Sequence, residues 1–585
     1  MKLLPLTATL GLALAALGPL ATPARACGGF FCNAVTLSPI IQSGERVLFA
    51  RTATGVTMHI EVQYAGDPTS FGWIVPVPER PKDSRGQPLP LEQAIQLSAS
   101  EIFQQLQAQT NPTFSVRVGE SLGDECQGAS SGGCAPVPMA AGDAVHEERD
   151  QDDEGDPVVL DEAAVGPYQA QLLEAPDVDT LFDWLNRNGY NQDPAARPLL
   201  QHYVDLHYVF IGLRLQTGKR TGDIRPIAIN LSETAPCVPL RLTKIAATDD
   251  MPILIWVLGQ ARAVPKNFLS AVVNDMALVY PGGQNYAQVV SAAVDTAAGH
   301  AWVTEMSGPT ADLRGKFLPA GLDASSVSAA HSLSELDDRL SGLDSAPTAR
   351  AIWRDELVPP PGFDALTFSL YPESVLLDPE TTLVHDFPTV LARVVSELIT
   401  PLAEVEDLLG ATTTVTRFFT TSDAAEMTRD PVFAFNPDLP PVPRAHDIQA
   451  RRGSAEDCTF KGAVEYSEGR EITLGKNASG IQTIGPIAGE PPLLFVELLD
   501  ESGPPLRFDP AQADAVDRQL DGATPGTASL PPTFETDPPP PLDHVKAPRK
   551  KADDGCTGSL PGAWMVLPVA GMFLLRRRAR ARAGA

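Results

Sequence analysis

The chain is poor in basic residues, in aromatic residues and in long apolar segments. Lys and Arg number 44 against 73 Asp and Glu, which gives a net charge of −29. A general nucleic-acid binder needs a basic surface to neutralise phosphates, so this balance argues against that class. Aromatic residues make up only 6% of the 585 residues, whereas prolines number 55. The composition therefore predicts folded parts together with Pro-rich connections.

The sequence also lacks the short motifs that commonly identify a catalytic site. It contains no GxSxG elbow, no Walker loop, no HExxH pattern and no GxGxxG followed by a suitable helix. Active sites assemble in space, so these absences do not exclude an enzyme. They remove the usual sequence-based reason to propose one, and no catalytic or cofactor-binding residue is predicted.

The two ends of the chain carry its longest apolar segments. The first, from Leu10 to Leu20, follows a lysine at position 2 and precedes a small-x-small pattern that ends at Ala26. This is the pattern of a signal-peptidase site. The second, Leu560 to Leu575, is followed by arginines from Arg576 to Arg582. Because basic residues stay on the cytoplasmic side, the ends predict an exported body and a C-terminal transmembrane helix.

The seven cysteines fit an oxidising compartment, with six in the predicted body and Cys556 near the tail. Six cysteines allow many pairings. Short loops favour two disulfides and leave a third pair: Cys27–Cys32, Cys126–Cys134 and Cys237–Cys458. After cleavage Cys27 would be the first residue, where a cysteine can also carry a lipid or act as a nucleophile. Arg25 does not fit a lipoprotein signal, and no partner base is identifiable, so a disulfide is favoured.

One acidic segment and one histidine-containing segment suggest metal binding. Four acidic residues have nearly the spacing of a calcium loop: Asp150, Asp152, Glu154 and Asp161. Two of them depart from the usual ligand type, so a solvated acidic loop is favoured and weakly bound calcium is the alternative. In HYVDLH, His202 and His207 would lie about 140° apart on a helix of 3.6 residues per turn. A zinc site is therefore not predicted there.

Hydrophobic periodicity predicts an α+β fold with mixed and antiparallel sheets, packed helices and two subdomains. Period-two alternation predicts a hairpin in RVLFARTATGVTMHIEVQYAG, with Thr57, His59, Glu61 and Gln63 on its less buried face. The segment VPLRLTKIAA continues the alternation, and PLEQAIQLSASEIFQQL is predicted to form one helix. Asp423 with Glu426 is predicted to begin another helix.

The predicted organisation has five parts. They are a signal peptide over 1–26, a first α+β domain over 27–345 with a flexible loop at 119–156, a second α+β segment over 346–500, a disordered Pro- and Asp-rich spacer over 501–555, and a sorting and transmembrane tail over 556–585. The spacer is expected to lack a core because of its composition.

Between Cys27 and about Pro440 the chain contains the motifs CGGFFC, GERVLFA, VQYAGDPTSFGWIVPVP, NRNGY, RPIAINLS, AVPKNFL and TRFFTTSDAAEMTRDPVFAFNP. In combination they resemble the domain-of-unknown-function 2330 family of exported bacterial proteins. The resemblance implies export and a similar fold, but no reaction, because the family has no established activity. The tail, with Gly555-Cys556, an apolar segment and arginines, resembles a myxobacterial-type sorting signal. That resemblance implies cleavage near Cys556 by a membrane protease and transfer to the cell surface.

The sequence thus predicts an exported, surface-anchored protein that acts at the cell envelope or in an interaction and is not an enzyme. Its expected partners are signal peptidase, the C-terminal sorting protease and the membrane, without nucleic acid. One alternative is an extracytoplasmic hydrolase or peptidase-like enzyme with an unidentified site. Another is a calcium-assisted adhesin or ligand-binding module. Converging acids, a histidine and a nucleophile in a cleft would favour the enzyme.

Overall fold

The computed structural model describes residues 41–53, 55–65, 71–83, 85–118, 157–190, 192–219, 223–231, 235–343, 347–359, 361–372, 384–452, 462–466, 469–474 and 483–520. All of them belong to one compact unit. Several predicted features lie outside the described residues: Ala26, Cys27, Cys32, Cys126, Cys134, Asp150, Asp152, Glu154, Cys458, Cys556, the spacer beyond residue 520 and the C-terminal tail.

The strands of the described ranges are β1 (Ile41–Thr52), β2 (Gly55–Ala65), β3 (Gly72–Val77), β4 (Ile95–Leu97), β5 (Thr113–Val118), β6 (Val158–Val165), β7 (Tyr168–Glu174), β8 (Val209–Leu215), β9 (Ile227–Leu231), β10 (Met251–Gly259), β11 (Arg262–Pro265), β12 (Leu269–Val273), β13 (Ala301–Pro309), β14 (Thr414–Ser422), β15 (Phe433–Asn436), β16 (Ala445–Arg452), β17 (Gly462–Glu465), β18 (Glu471–Leu474), β19 (Leu493–Leu498) and β20 (Leu506–Phe508).

The α-helices are α1 (Leu91–Ala94), α2 (Ser100–Thr110), α3 (Val178–Arg187), α4 (Arg197–Asp205), α5 (Leu240–Thr243), α6 (Tyr286–Thr296), α7 (Ala324–Ser328), α8 (Leu333–Leu340), α9 (Pro347–Glu356), α10 (Ala365–Leu370), α11 (Phe387–Val394), α12 (Thr400–Ala411) and α13 (Ala513–Leu520). A π-helical turn, Val395–Ile399, joins α11 to α12. No helix in these ranges is long and apolar enough to cross a bilayer.

A ten-stranded sheet dominates the fold, with strand order β20-β19-β12-β13-β14-β10-β1-β2-β9-β4. It is mixed, because β1 runs parallel to β10 and β12 runs parallel to β13, whereas its other pairs are antiparallel. A four-stranded antiparallel sheet has the order β3-β8-β7-β6, and a mixed one has the order β18-β17-β16-β5. A two-stranded sheet pairs β11 with β15. The predicted α+β class with mixed and antiparallel sheets is confirmed.

The central strands of the large sheet are buried on both faces. In β1, Val47 and Phe49 pack toward the β3-β8-β7-β6 sheet, whereas Leu48 and Ala50 pack toward the layer that contains α2, α9 and α12. Helices α3 and α4 cover the outer face of the β3-β8-β7-β6 sheet. Strands covered on both faces show a continuous apolar run rather than alternation, as VLFA does.

Both predicted segments contribute strands to the same sheet. Strands β1, β2 and β10 come from the first segment, and β14 from the second inserts between β13 and β10. The predicted boundary at residues 345 and 346 therefore falls between strands of one continuous sheet. Strand β20 and helix α13 lie in residues assigned from composition to the spacer, and their Phe508, Val516 and Leu520 are buried. The spacer prediction is wrong for this stretch, because its apolar residues find a core.

Three predicted elements differ in the structure. The segment predicted as one helix forms α1, then β4, then α2, because Ile95–Leu97 pairs with β9 at the edge of the large sheet. The predicted alternation of VPLRLTKIAA gives way to the single helical turn of α5. Asp423 begins no helix: its N–H donates to Glu426 Oε2 at 2.8 Å within a turn, and Pro431 follows shortly afterwards.

Candidate functional site

The large sheet opens where strand β9 begins. Its pairing with β2 ends at Ile60 opposite Ile227, whereas β2 continues to Ala65 beside β1. Pro226 precedes β9 and has no N–H with which to extend the ladder. The resulting gap is a cavity of about 180 Å³, lined by residues 61–64, residues 224–226 and Arg46. We name it the Arg225 cavity.

Two arginines and one glutamate give this cavity its charge. Arg46 and Glu61 lie directly opposite each other in the β1–β2 register, so the hairpin fixes their separation. Arg225 reaches the cavity from the segment before β9 and is only 5% exposed. Charged side chains this deeply buried are rare unless the surroundings satisfy them. The hydrogen bonds that these three residues make, and those that they lack, therefore indicate which ligand groups the cavity can bind.

Arg46 is tied to the protein through one edge of its guanidinium. Its Nη1 donates to Gln107 Oε1 at 2.8 Å, and its Nη2 lies 2.6 Å from Glu61 Oε2. The second contact is an ion pair outside hydrogen-bonding alignment. The Nε of Arg46 is buried and has no acceptor among the described residues. The Nε N–H of Arg46 therefore has no hydrogen-bond acceptor in this part of the structure.

Arg225 is fixed through its backbone by a buried tyrosine. The Tyr168 hydroxyl donates to the Arg225 carbonyl oxygen at 2.6 Å and accepts from the Arg225 N–H at 2.7 Å. Burial raises the pKa of Tyr168, which keeps this hydroxyl protonated. The guanidinium Nη1 lies 3.1 Å from Glu397 Oε2, again outside hydrogen-bonding alignment. Arg225 Nε and Nη1 donate no hydrogen bond to the described residues.

Glu397 lies in the π-helical turn between α11 and α12. Its carboxylate accepts from Arg393 Nε at 2.6 Å and from Arg393 Nη2 at 3.2 Å. Turns of this type are found preferentially at functional sites, because the extra residue redirects a side chain. Here the turn directs Glu397 toward Arg225. Arg393 also pairs with Asp355 and Glu356, so the negative charge of Glu397 belongs to a larger ion network.

A second cavity of about 320 Å³ lies on another side of Glu397. Strand β4, the turn between β6 and β7, and the start of α12 form its walls. Its carboxylates are Glu92, Glu397 and Glu404, and burial, followed by the nearby Asp407, raises the pKa of Glu404. Leu97 and Pro401 contribute apolar surface. This cavity is more apolar than the Arg225 cavity, and its lining has no basic residue among those described.

The described member of the predicted calcium loop has a different role. Asp161 lies in β6, where its carboxylate accepts from the Leu91 N–H at 3.0 Å and from the Glu162 N–H at 2.9 Å. Arg80 lies 3.6 Å away. Asp161 therefore satisfies the first turn of α1. In the described ranges no group of His, Cys, Asp and Glu could hold a metal ion.

The histidine segment does not form a metal site either. His202 lies on α4, and Asp205 accepts from Gln201 Nε2 at 2.6 Å. His207 follows the helix at a φ of 59°, a backbone conformation that directs the chain away from the helix axis. Burial lowers the pKa of His202, with Arg241 as the second cause. The structure therefore does not bring these side chains together as ligands.

Cys237, the described cysteine of the predicted disulfide set, lies beside a partly buried acid, Asp430. Its backbone forms an isolated bridge with Val432, and its predicted partner Cys458 is outside the described residues. Two residues before Val432, Asp430 accepts from the Tyr203 hydroxyl at 2.8 Å and from the Arg241 N–H at 2.9 Å. Burial raises the pKa of Asp430 to about 6.

One arrangement has the residue types of a hydrolytic triad. His300 Nδ1 lies 2.9 Å from Asp517 Oδ2, and its Nε2 lies 2.9 Å from Thr428 Oγ1. The same Nε2 lies 2.8 Å from the Glu426 carbonyl oxygen, which can only accept. That contact requires a proton on Nε2, so this nitrogen is not available to take one from the threonine. His300 therefore cross-links the chain around residues 426–428 to α13.

Sequence reasoning missed all three charged residues of the Arg225 cavity. Glu61 was expected on the less buried face of β2, yet it is 8% exposed, and its neighbour His59 is almost fully buried. His59 Nδ1 lies 2.9 Å from Ser98 Oγ, and burial lowers its pKa to about 4. The chain that precedes α2 thus covers the second face of the hairpin. The available signal was a Glu opposite an Arg in the predicted hairpin, because side chains of opposite charge at facing positions of two strands attract each other.

The fold and its cavity define a mixed α+β protein with a charged, partly unsatisfied internal site. The comparison with protein families matches residues 21–315 to the model described as uncharacterized protein conserved in bacteria, DUF2330. This match covers 295 of the 585 residues, and the chain belongs to that family. No curated protein and no solved structure matches the chain.

Proposed function

We propose that this chain is an exported protein, anchored at the cell surface, whose folded part binds a small carboxylate-bearing molecule in the Arg225 cavity. The observation that carries the proposal is the buried Arg225 Nε, which donates no hydrogen bond to the described residues, whereas Nη1 is directed to Glu397. Buried charged donors are costly when they are left unsatisfied. The side-on fork of a guanidinium, formed by Nε and Nη2, matches the two oxygens of a carboxylate.

The size and lining of the cavity support a binding role for a small molecule. A volume of about 180 Å³ is below the range of roughly 300–1,000 Å³ that is typical of sites for drug-sized ligands. The described residues that line the cavity include no Ser, Thr, Cys, His or Lys. The side chains that most often act as nucleophiles are therefore missing from this lining, which favours binding over catalysis.

Replacing Arg225 with Lys tests the carboxylate site. The substitution keeps a positive charge near Glu397 but removes the planar fork. We expect the Kd for propionate to rise tenfold or more, since hydrogen bonds to charged groups contribute about 1.5–3 kcal/mol. Isothermal titration calorimetry of the full chain with sodium propionate, in a buffer low in chloride, measures the change.

Arg393→Lys is the matched control for this variant. Arg393 pairs with the same Glu397 but does not line the Arg225 cavity. Its Kd for propionate should stay within about twofold of the wild-type value, because no fork in the cavity is lost. Equal Kd values for Arg225→Lys and wild type, or the absence of propionate binding by wild type, would contradict the proposed site.

Surface anchoring rests on the signal pattern that ends at Ala26 and on the tail around Cys556. We expect Cys556→Ala to abolish surface display and to leave the protein in the inner-membrane fraction, because the sorting protease is proposed to cut near this cysteine. Ser559→Ala, in the same segment, should be displayed normally. Biotin labelling of intact cells followed by membrane fractionation measures both variants. Normal display of the Cys556 variant would refute the sorting role.

A further inference from the structure

The Arg225 cavity contains an unsatisfied acceptor beside its unsatisfied donors. Glu61 is 8% exposed, and its Oε2 accepts no hydrogen bond from the described residues. The nearby Arg46 Nη2 is in ion-pair contact with this oxygen at 2.6 Å but outside hydrogen-bonding alignment. Buried carboxylate oxygens normally accept hydrogen bonds, because they have several lone pairs to satisfy. The cavity therefore presents groups of both signs to its occupant.

These groups are held on rigid elements. Glu61 lies in β2, which pairs with β1 from Ile41 to Thr52. Arg225 is fixed by the two hydrogen bonds between its backbone and the Tyr168 hydroxyl, and Tyr168 itself lies in β7. The backbone positions from which the donors and the acceptor extend are therefore fixed without a ligand. A preorganised site of this kind selects a ligand by its pattern of charges.

A simple carboxylate would satisfy only part of this pattern. It could accept from Arg225, but it would leave Glu61 Oε2 without a donor and would bring a second negative charge close to it. Like charges in a partly desolvated site repel each other strongly. A ligand that carries an ammonium group next to its carboxylate removes both difficulties. The volume of the cavity, about 180 Å³, limits such a ligand to a small one.

We propose that the Arg225 cavity binds a small α-amino acid, with its carboxylate on Arg225 and its ammonium group on Glu61. The inference rests on the proposed carboxylate-binding function and names the ligand class of the same site. Three bonds are central to it: the Nε and Nη2 N–H groups of Arg225 donate to the ligand carboxylate, and the ligand ammonium donates to Glu61 Oε2.

The test compares L-alanine with propionate, which lacks the ammonium group, and with ethylammonium, which lacks the carboxylate. We expect the wild-type full chain to bind L-alanine at least about tenfold more tightly than either fragment, as expected when charge-assisted hydrogen bonds are lost. Glu61→Gln preserves the shape of the side chain. It should reduce the preference for alanine over propionate to about threefold or less, because Gln has no charge to offer the ammonium group.

The preference is a ratio of two Kd values within one variant, so a lower fraction of folded protein does not alter it. Glu471→Gln, which removes an exposed carboxylate on β18, should keep the wild-type preference. If propionate binding depends on Arg225 but alanine binds no more tightly, the amino-acid inference is wrong and the carboxylate site stands. If neither ligand binds, both proposals fail. If Glu61→Gln weakens both ligands by the same factor, the assignment of Glu61 is overturned.

Discussion

Replacing Arg417 with Met is expected to lower the free energy of unfolding by about 3–5 kcal/mol. Arg417 lies in β14 and is 4% exposed, and its Nε donates to Glu305 of β13, which is 2% exposed. Its Nη1 donates to Thr110 Oγ1 at 3.1 Å and to Asn111 Oδ1 at 2.7 Å. The substitution leaves the Glu305 carboxylate buried without its cation. Urea unfolding followed by circular dichroism measures the loss.

The double variant Arg417→Met/Glu305→Gln separates a stranded charge from lost packing. Burial already raises the pKa of Glu305, and Arg417 is the first cause that lowers it, so removing the arginine leaves desolvation unopposed by that charge. Neutralising the acid should recover part of the stability, and the double variant should unfold at a higher urea concentration than the single one. A single variant within 1 kcal/mol of wild type would contradict the importance of this pair, since such losses are about 3–5 kcal/mol.

Replacing Asp430 with Asn is expected to remove a fall in stability that wild type shows as the pH rises from about 4 to about 6. Burial raises the pKa of Asp430 from 3.8 to about 6. Between these values the folded chain keeps a proton that the unfolded chain has lost, so stability decreases with rising pH. A shift of about two pKa units corresponds to roughly 3 kcal/mol. The stabilising contribution is complete below about pH 4 and is lost above about pH 6.

The measurement is the free energy of unfolding in urea at pH 4, 5, 6 and 7. The difference between wild type and Asp430→Asn should change across this interval and then stay constant. Tyr203→Phe provides a second check, because the Tyr203 hydroxyl donates to Asp430 and lowers the pKa of its carboxyl group. The fall in stability should extend to higher pH in that variant. Parallel curves for wild type and Asp430→Asn would show that Asp430 does not titrate in this range.

Elements that depend on a local pattern could be predicted from the sequence. The β1–β2 hairpin lies where alternation places it. The segment DVDTLFDWLNRNGY predicts a short helix with an aspartate cap, and in α3 Asp177 Oδ1 accepts from the Thr180 N–H at 2.7 Å. Gly189, just after that helix, has a φ of 77°, a conformation that glycine adopts without a steric cost. Interactions within a few residues determine caps and turns of this kind, so the local sequence is sufficient to predict them.

The Arg225 cavity could not be predicted, because long-range packing decides it. Alternation assigns Glu61 to the face of β2 opposite the core, and nothing in the local sequence indicates that residues before and within α2 cover that face. Arg225 reaches the cavity only because the ladder between β2 and β9 stops at Ile60 and Ile227. The predicted helix through Ile95 is wrong for the same reason. Pairing of Ile95–Leu97 with β9 at the edge of the sheet stabilises this segment more than its helical propensity does.

The insertion of β14 between β13 and β10 has a consequence for how the family domain can exist on its own. The family match ends at residue 315, shortly after β13, whereas β14 begins at Thr414. A chain that stopped at the end of the match would expose the edges of both neighbouring strands, and such edges template aggregation. In this chain the matched stretch is thus a unit of sequence similarity but not a unit of folding. Its central sheet can close only when residues up to Ser422 are present, so closure depends on contacts between strands that are far apart in the sequence.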